Sequence, residues 1–100
     1  MRRVLWWLIG GSRGGRNRLR IVRAVQARPA NANQLAARLD LDYKTVQHHL
    51  DLLVENDVLT TEGDGYGKLY FLSDRMTANM DVLETVIEEA NIDLSETHDE

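Results

Sequence analysis

Hydrophobic side chains between residues 42 and 55 recur at a helical spacing. Val46, Leu50 and Leu53 lie at i, i+4 and i+7, so they share one face of a predicted helix. At about 100° per residue, the opposite face of that helix is polar. The polar face consists of Lys44, Gln47, His48 and Asp51, with Thr45 at its flank. The pattern predicts an amphipathic helix that packs inward along one side.

Two further helices are predicted upstream of this one. The first runs from Asn17 to Arg28, with an apolar face around Leu19 and Val22, and Pro29 ends it. The second runs over residues 34–39, with Asn33 as its expected N-cap. A short turn follows, in which Asp42 suits the N-terminus of the next helix because a carboxylate complements the helix dipole there.

A different pattern follows the three helices. Residues 58–62 form a β-branched run, residues 63–67 contain three glycines, and residues 68–72 form a second strand candidate. The pattern predicts a β-hairpin, with Tyr66 in its turn and Lys68 at the start of its second strand.

Both ends of the chain are expected to need a partner surface. Ser73 can cap a helix over residues 74–91, and residues 4–9 form an apolar segment after two arginines. Six apolar residues are too few to span a bilayer. We expect both segments to pack on a second subunit, since a long apolar stripe and two tryptophans left in water would be unfavourable. The predicted dimerisation residues are Trp6, Trp7, Met76, Met80, Leu83 and Ile87.

The polar face of residues 43–51 suits nucleic acid. Gln47 can bind adenine with two hydrogen bonds, and Lys44 can reach guanine acceptors. Asp51 has three open interpretations: it reads cytosine, holds an arginine, or marks where the helix leaves the groove. The alternative for the whole segment is an ordinary amphipathic helix with a solvated polar face, because short motifs have many false matches.

The run from about residue 17 to residue 72 resembles winged helix-turn-helix transcription regulators, particularly the ArsR-like group and its archaeal members. The matching stretches are residues 33–39, residues 43–50, residues 53–59 and the glycine-rich hairpin. The resemblance implies a DNA-binding dimer in which the helix of residues 43–55 enters the major groove and the hairpin is the wing. It implies DNA-reading positions at Tyr43, Lys44, Thr45, Gln47 and His48, and a structural role for His49. In such a wing, Tyr66 and Lys68 could contact the phosphate backbone or the minor groove. Glu62 and Asp64 would face phosphates unfavourably, so contact between the wing and DNA is left open, and the alternative is a plain surface hairpin.

Charge is divided unevenly along the chain. Residues 1–50 hold ten Arg and Lys against two Asp, which gives +8, whereas residues 51–100 hold two basic against fourteen acidic residues, which gives −12. The acidic isoelectric point alone would argue against nucleic acid, but the charge asymmetry between the two halves is the better clue, and the basic half favours nucleic acid. Arg13, Arg16 and Arg18 are therefore expected to contact phosphates. The alternative is that these arginines pair with the acidic half.

The sequence makes other kinds of site improbable. There is no cysteine, and His48 and His49 are adjacent, so they point about 100° apart and cannot share a metal ion. The glycine-rich stretch 10–15 lacks the preceding strand and the Gly-Lys-Ser/Thr ending of a phosphate-binding loop, so we interpret it as a hinge. No catalytic constellation is recognisable. We therefore expect no enzyme activity, no cofactor and no metal.

Together these observations predict an α+β, mostly α protein: a winged helix-turn-helix with a two-stranded wing and an additional C-terminal helix. The predicted divisions are an apolar N-terminal helix or arm (1–12), the DNA-binding domain (13–73), a dimerisation helix (74–92) and a polar tail (93–100). The predicted function is a cytoplasmic, homodimeric regulator that reads double-stranded DNA by sequence. Alternatives are a winged-helix protein-interaction module or a non-specific architectural DNA binder, so a protein partner is left open and no membrane association is expected.

Overall fold

A computed structural model describes residues 1–94, so most of the predicted polar tail, with His98, lies outside the described residues. Within these residues, six α-helices and one antiparallel hairpin follow one another. They are α1 (Arg2–Leu5, continued by a π-helical turn at Trp6–Gly10), α2 (Gly15–Ala27), α3 (Ala32–Leu39), α4 (Tyr43–Glu55), β1 (Leu59–Glu62), β2 (Leu69–Leu72), α5 (Asp74–Thr77) and α6 (Met80–Ala90). The mostly α, α+β prediction is confirmed.

Capping residues fix the two helices of the helix-turn-helix. α3 begins earlier than predicted, because Asn31 rather than Asn33 is its N-cap: Asn31 Oδ1 accepts from the Gln34 backbone N–H at 2.8 Å. Gln34 returns the contact, accepting from the Asn31 N–H at 2.9 Å, which completes a capping box. Asp42 caps α4 as predicted, accepting from the backbone N–H groups of Lys44 and Thr45.

The helical period predicted for residues 42–55 sets how α4 packs. Val46, Leu50 and Leu53 are completely buried, and they meet the apolar face of α2 and the neighbouring β1. These inward-facing positions are therefore confirmed. Burying a side chain of this size contributes roughly 1.5–3 kcal/mol, so this face holds α4 firmly against the core.

The hairpin is short and lies beside the beginning of α3. β1 and β2 pair in the register Leu59↔Leu72 to Glu62↔Leu69. The Tyr70 backbone N–H also donates to the Ala30 carbonyl at 2.8 Å, so the loop between α2 and α3 joins the edge of the hairpin. Since this bridge ties the wing to the α2–α3 loop, the wing has a defined position relative to the helices.

The N-terminal helix packs within its own chain. Leu5, Leu8 and Ile9 are buried against α2 and α6, whereas Trp6 and Trp7 remain 43% and 51% exposed. The glycine-rich connection is tightly packed rather than a loose hinge: a Cβ on Gly15 would lie 2.0 Å from the Ile9 carbonyl oxygen. The expectation that this whole segment packs on a partner is therefore wrong. Only its two tryptophans keep enough exposed surface for such a contact, which stays a prediction.

The predicted C-terminal helix is divided in two. Ser73 caps α5 as predicted, accepting from the Met76 N–H at 2.9 Å, but the helix is interrupted at residues 78–79. Met76 and Leu83 are completely buried inside the chain, so the prediction that they form a dimer surface is corrected. Met80 and Ile87 are partly buried and keep some accessible surface. Within residues 1–94, no helix is long and apolar enough to cross a membrane.

Candidate nucleic-acid interface

The first turns of α4 present most of the predicted DNA-reading side chains. Lys44, Thr45 and His48 are exposed, whereas Tyr43 and Gln47 are half-buried. Asp42 accepts hydrogen bonds from two of the first backbone N–H groups of α4, and this cap stabilises the first turn of the helix. The three exposed side chains can therefore reach a surface laid against that end of the helix.

The wing supplies two more of the predicted contacts. Tyr66, at the tip of the hairpin, is 80% exposed, and Lys68 is half-buried beside β2. The Lys68 ammonium lies 5.7 Å from the centroid of the Tyr70 ring, within the range of a cation–π contact. That contact holds the stem of Lys68 against the wing and leaves Tyr66 as the more accessible of the two.

A cleft of about 240 Å³ separates α4 from the wing. It is lined by Ala32, Asn33, Tyr43, Gln47, Gly65, Tyr66, Lys68 and Tyr70. Four of the predicted contact residues therefore come together there, two from α4 and two from the wing. Asn33 and Tyr70 also line this wing cleft, and the sequence did not single them out for that role.

Gln47 is held by a network of hydrogen bonds at the edge of the wing cleft. Its Nε2 donates to Asp51 Oδ1 at 2.9 Å and to the Tyr70 hydroxyl at 3.3 Å. Its Oε1 accepts from the Tyr43 hydroxyl at 3.3 Å. Asp51 therefore does something that none of its three predicted roles included: it holds a glutamine on its own helix.

Tyr70 could have been found from the sequence. It lies at an inward position of β2, where side chains alternate between the two faces, and it is 1% exposed. A buried tyrosine hydroxyl usually finds a hydrogen-bond partner, and here the partner is the glutamine of the predicted reading helix. A strand tyrosine following a wing lysine was the available signal.

Arg18 is not a phosphate contact, and its prediction as a DNA-binding residue is corrected. Its side chain is only 4% exposed, and its Nε donates to the Leu8 carbonyl at 2.6 Å. The rest of the guanidinium contacts Ser12 Oγ, the Arg13 carbonyl and His49 Nδ1. Arg18 therefore joins the N-terminal connection, α2 and α4 from inside the molecule, where burial lowers its pKa.

His49 has the structural role expected for it. It is 7% exposed, and its Nδ1 lies 3.1 Å from Arg18 Nη1. Burial first, and then the nearby charges of Arg18 and His48, lower the pKa of His49. Because Arg18 can only donate, Nδ1 must act as an acceptor, so the imidazole is neutral with its proton on Nε2.

The exposed arginines of α2 lie in a different region from the wing cleft. Arg16 Nη2 donates to the Asp93 carbonyl at 3.0 Å, and Arg16 shares an open groove with Arg20, Arg23 and Leu94. α2 has 13 residues, or about 18 Å, and its other end leads to the wing through Ala30. The phosphate contact of Arg16 therefore stays a prediction without support from position, and that of Arg13, which precedes α2, also stays a prediction.

Two ion pairs show where part of the basic half is used internally. Arg2 meets Glu89 at 2.7 Å, and Arg23 meets Glu84 at 2.8 Å. The hydrogen bond from Arg23 lowers the pKa of Glu84. Both pairs connect the first half of the chain to α6, as the alternative interpretation of the charge pattern proposed. Among residues 1–94, no group of His, Cys, Asp or Glu side chains could hold a metal ion.

Comparison with known proteins assigns part of the chain to a domain class. Residues 16–62 match a family described as a helix-turn-helix domain, which is not an enzyme class. No curated protein matches the sequence significantly. The helix-turn-helix part of the predicted resemblance is confirmed over residues 16–62, and this domain supports DNA-binding transcription regulation as the function class.

Solved structures share the fold. HlyU from Vibrio cholerae N16961 is 20% identical, with a TM-score of 0.62 over 85% of this chain and 90% of that one. The transcriptional regulator HlyU from Vibrio vulnificus CMCP6 is 22% identical, with a TM-score of 0.58 over 70% and 74%. A "possible transcriptional regulator for arsenical resistance" is 25% identical, with a TM-score of 0.55 over 81% and 85%. The two HlyU proteins come from Vibrio, and an archaeal type stays a prediction.

Proposed function

Because the chain carries a helix-turn-helix domain within a winged-helix fold, we propose that it is a transcription regulator that reads double-stranded DNA by sequence. The recognition helix is α4, which enters the major groove with its N-terminal turns foremost. The proposal includes a homodimer and a cytoplasmic location, and it involves no enzymatic step and no cofactor.

The observation that carries this proposal is the wing cleft. Tyr43 and Gln47 line this cleft of about 240 Å³ from α4, and Tyr66 and Lys68 line it from the wing. A sugar–phosphate strand entering between them would meet the Lys68 ammonium and the Tyr66 hydroxyl on the wing side, opposite the Tyr43 and Gln47 side chains of α4. Such contacts set the register of a protein on the duplex, and the exposed side chains beside them then reach the bases.

Base reading falls to side chains on the exposed face of α4. Lys44 can donate to the guanine acceptors O6 and N7, and Gln47 can bond a base edge in the major groove. Thr45 and His48 flank them and can donate to bases or phosphates. Tyr66 and Lys68 contact the backbone from the wing, where their accessibility allows it.

Dimerisation is proposed through the outer surface of α1 and α6. Trp6 and Trp7 are about half exposed on the N-terminal helix, which packs on α6 within the chain. Met80 and Ile87 retain part of their surface on α6. Burying two tryptophan faces against a second copy would remove the largest exposed apolar side chains outside the wing. Two recognition helices would then read half-sites about one helical turn apart.

The experiment is a selection from a random duplex library with purified protein, followed by affinity measurements on the enriched sequence. An enriched inverted repeat supports the proposal. Lys44→Ala and Gln47→Ala should each weaken discrimination at particular base pairs by about 1–3 kcal/mol, which is about five- to 150-fold. Glu55→Ala, a change at the far end of the same helix, is the matched control. The proposal would be contradicted if Lys44→Ala and Gln47→Ala, like Glu55→Ala, changed the affinity for the enriched duplex and for a random duplex by the same factor.

The dimer has its own test. Sedimentation of the full chain should give a dimer, and the double variant Trp6→Ser, Trp7→Ser should shift the population toward monomer. Tyr66→Ser is the control, because it removes an aromatic ring that is 80% exposed on the wing instead. A monomeric wild-type protein at micromolar concentration, or a double variant that stays dimeric, would contradict the proposed interface.

One observation favours a second candidate, a protein-interaction module built on the same fold. Several arginines of the basic half are used internally, Arg18 in the core and Arg2 and Arg23 in ion pairs, which reduces the charge offered to phosphates. Fold alone does not fix function. The same library selection decides: retention of DNA without an enriched motif indicates an architectural binder, and no retention at low salt favours the interaction module.

A further inference from the structure

We propose that Asp51 and Tyr70 determine the base specificity of α4 by fixing the orientation of the Gln47 side-chain amide. The inference rests on the proposed DNA-reading function and deepens it. Neither residue has to touch DNA for this effect, because both act through Gln47. They are positioning residues, one on α4 itself and one on β2.

The orientation of the amide follows from the chemistry of its neighbours. A side-chain amide has one donor end and one acceptor end, and the two ends have nearly the same shape. An ionised carboxylate can only accept, so Asp51, at 2.9 Å, requires the Nε2 end of Gln47. The Tyr70 hydroxyl, at 3.3 Å, accepts from the same nitrogen. The Oε1 end is thereby directed toward Tyr43, which donates to it.

This orientation limits what Gln47 can offer to a base. Two hydrogen bonds to adenine require one donor and one acceptor from the same amide. Nε2 has two hydrogens, and both have acceptors within the protein, whereas Oε1 has a second lone pair beyond the bond from Tyr43. The held glutamine therefore presents an acceptor, which pairs with the amino groups of cytosine or adenine and not with the acceptor edges of guanine or thymine.

The two holders differ in their surroundings, and the difference matters for the strength of the effect. Asp51 is exposed, and an isolated i, i+4 pair of this kind is weak. Tyr70 is 1% exposed and is anchored through its backbone to Ala30, so its hydroxyl occupies a fixed place. Water competes less for the hydrogen bonds of a half-buried amide held from two sides than for those of an exposed amide. DNA bound over Gln47 would exclude the remaining competing water.

The decisive variant is Asp51→Asn. It keeps the size of the side chain but adds a donor, so the asparagine can bond Oε1 of Gln47 and the amide can turn over. Turned over, Gln47 presents its donor end, and the preference at its base pair changes. Tyr70→Phe removes the second acceptor with little change of shape and should loosen the same preference to a smaller extent.

The test compares base preferences from random duplex libraries for wild type, Gln47→Ala, Asp51→Asn, Tyr70→Phe and Glu55→Gln. The Gln47→Ala profile identifies the base pair that Gln47 reads. At that pair, Asp51→Asn should change the preferred base or reduce discrimination by about five- to tenfold. Glu55→Gln removes the same charge from an exposed position on the same helix and should leave the profile unchanged.

Affinity for a random duplex separates specificity from charge and from folding. Asp51→Asn and Glu55→Gln each remove one negative charge, so any gain in non-specific affinity should be similar for the two. A wild-type preference retained by Asp51→Asn at the pair that Gln47→Ala relaxes would overturn the inference while leaving the proposed function intact. The same holds if Gln47→Ala relaxes no position. A wild-type protein without any enriched motif would overturn both.

Discussion

Acidification should weaken the fold through His49. The imidazole is buried, its Nδ1 lies 3.1 Å from the Arg18 guanidinium, and its pKa is lowered by burial and by that charge. A protonated ring has no lone pair left at Nδ1, and it would place two cations in direct contact. The folded chain therefore takes up a proton at His49 less readily than the unfolded chain does.

The sign and size of the effect follow from linkage. In the unfolded chain a histidine titrates near pH 6.5, so the unfolded state binds more protons as the pH falls through that value. The contribution of His49 to stability is thus complete above about pH 6.5 and is lost as the pH falls toward its lower folded-state pKa. If the folded ring stays neutral, the loss between pH 7.5 and pH 5.5 is about 1.4 kcal/mol.

Urea unfolding at pH 7.5, 6.5 and 5.5 measures this loss. His49→Asn is the informative variant, because Oδ1 of asparagine can take the place of Nδ1 as an acceptor for Arg18 and does not titrate. His48→Asn is the matched control, since His48 is exposed on the same turn. We expect wild type and His48→Asn to lose about the same free energy, and His49→Asn to lose less, by at most about 1.4 kcal/mol. Equal losses in all three proteins would refute the reasoning, because carboxylates and His98 are common to them.

Three further variants test the packing that positions the interface, each by denaturant unfolding at neutral pH. Gly15→Ala should destabilise by roughly 1–3 kcal/mol, because its Cβ would meet the Ile9 carbonyl oxygen at 2.0 Å, whereas Gly67→Ala, with open space around it, should be nearly neutral. Asp42→Ala should cost about 1 kcal/mol through the lost cap of α4, and Asp64→Ala on the wing should cost much less. Arg18→Met should cost on the order of 2–4 kcal/mol because the Leu8 and Arg13 carbonyls lose their donor, whereas the exposed Arg13→Met should not.

The sequence was sufficient for the elements whose signals are local. The period of Val46, Leu50 and Leu53 predicted the buried face of α4, and the carboxylate of Asp42 predicted its N-terminus. Ser73 likewise marked the start of α5. These signals depend on neighbours within four residues along the chain, where helix geometry alone decides which groups meet.

Boundaries that depend on tertiary packing were less predictable. Asn31 and Asn33 are both competent N-caps, and the choice between them brings Ala32 into the buried part of α3. The apolar spacing of residues 76–87 is continuous across the interruption at residues 78–79, so no period in the sequence could reveal the break. Which stripe faces the core and which faces solvent is settled by elements far away along the chain.

The arginines show the same division in the candidate site. Arg13, Arg16 and Arg18 are chemically identical and lie within six residues, so the +8 charge of the first half cannot distinguish them. They differ because Arg18 alone lies on the buried face of α2, with Leu19 and Val22. There its guanidinium contacts carbonyls of the N-terminal connection and Nδ1 of His49. A guanidinium with five donors tolerates that place because each of its nitrogens has an acceptor there. Gln47 likewise has its hydrogen-bond donors occupied within the protein. Charge and residue type therefore locate the candidate interface, but only the hydrogen bonds within the protein show which donors and acceptors remain for DNA.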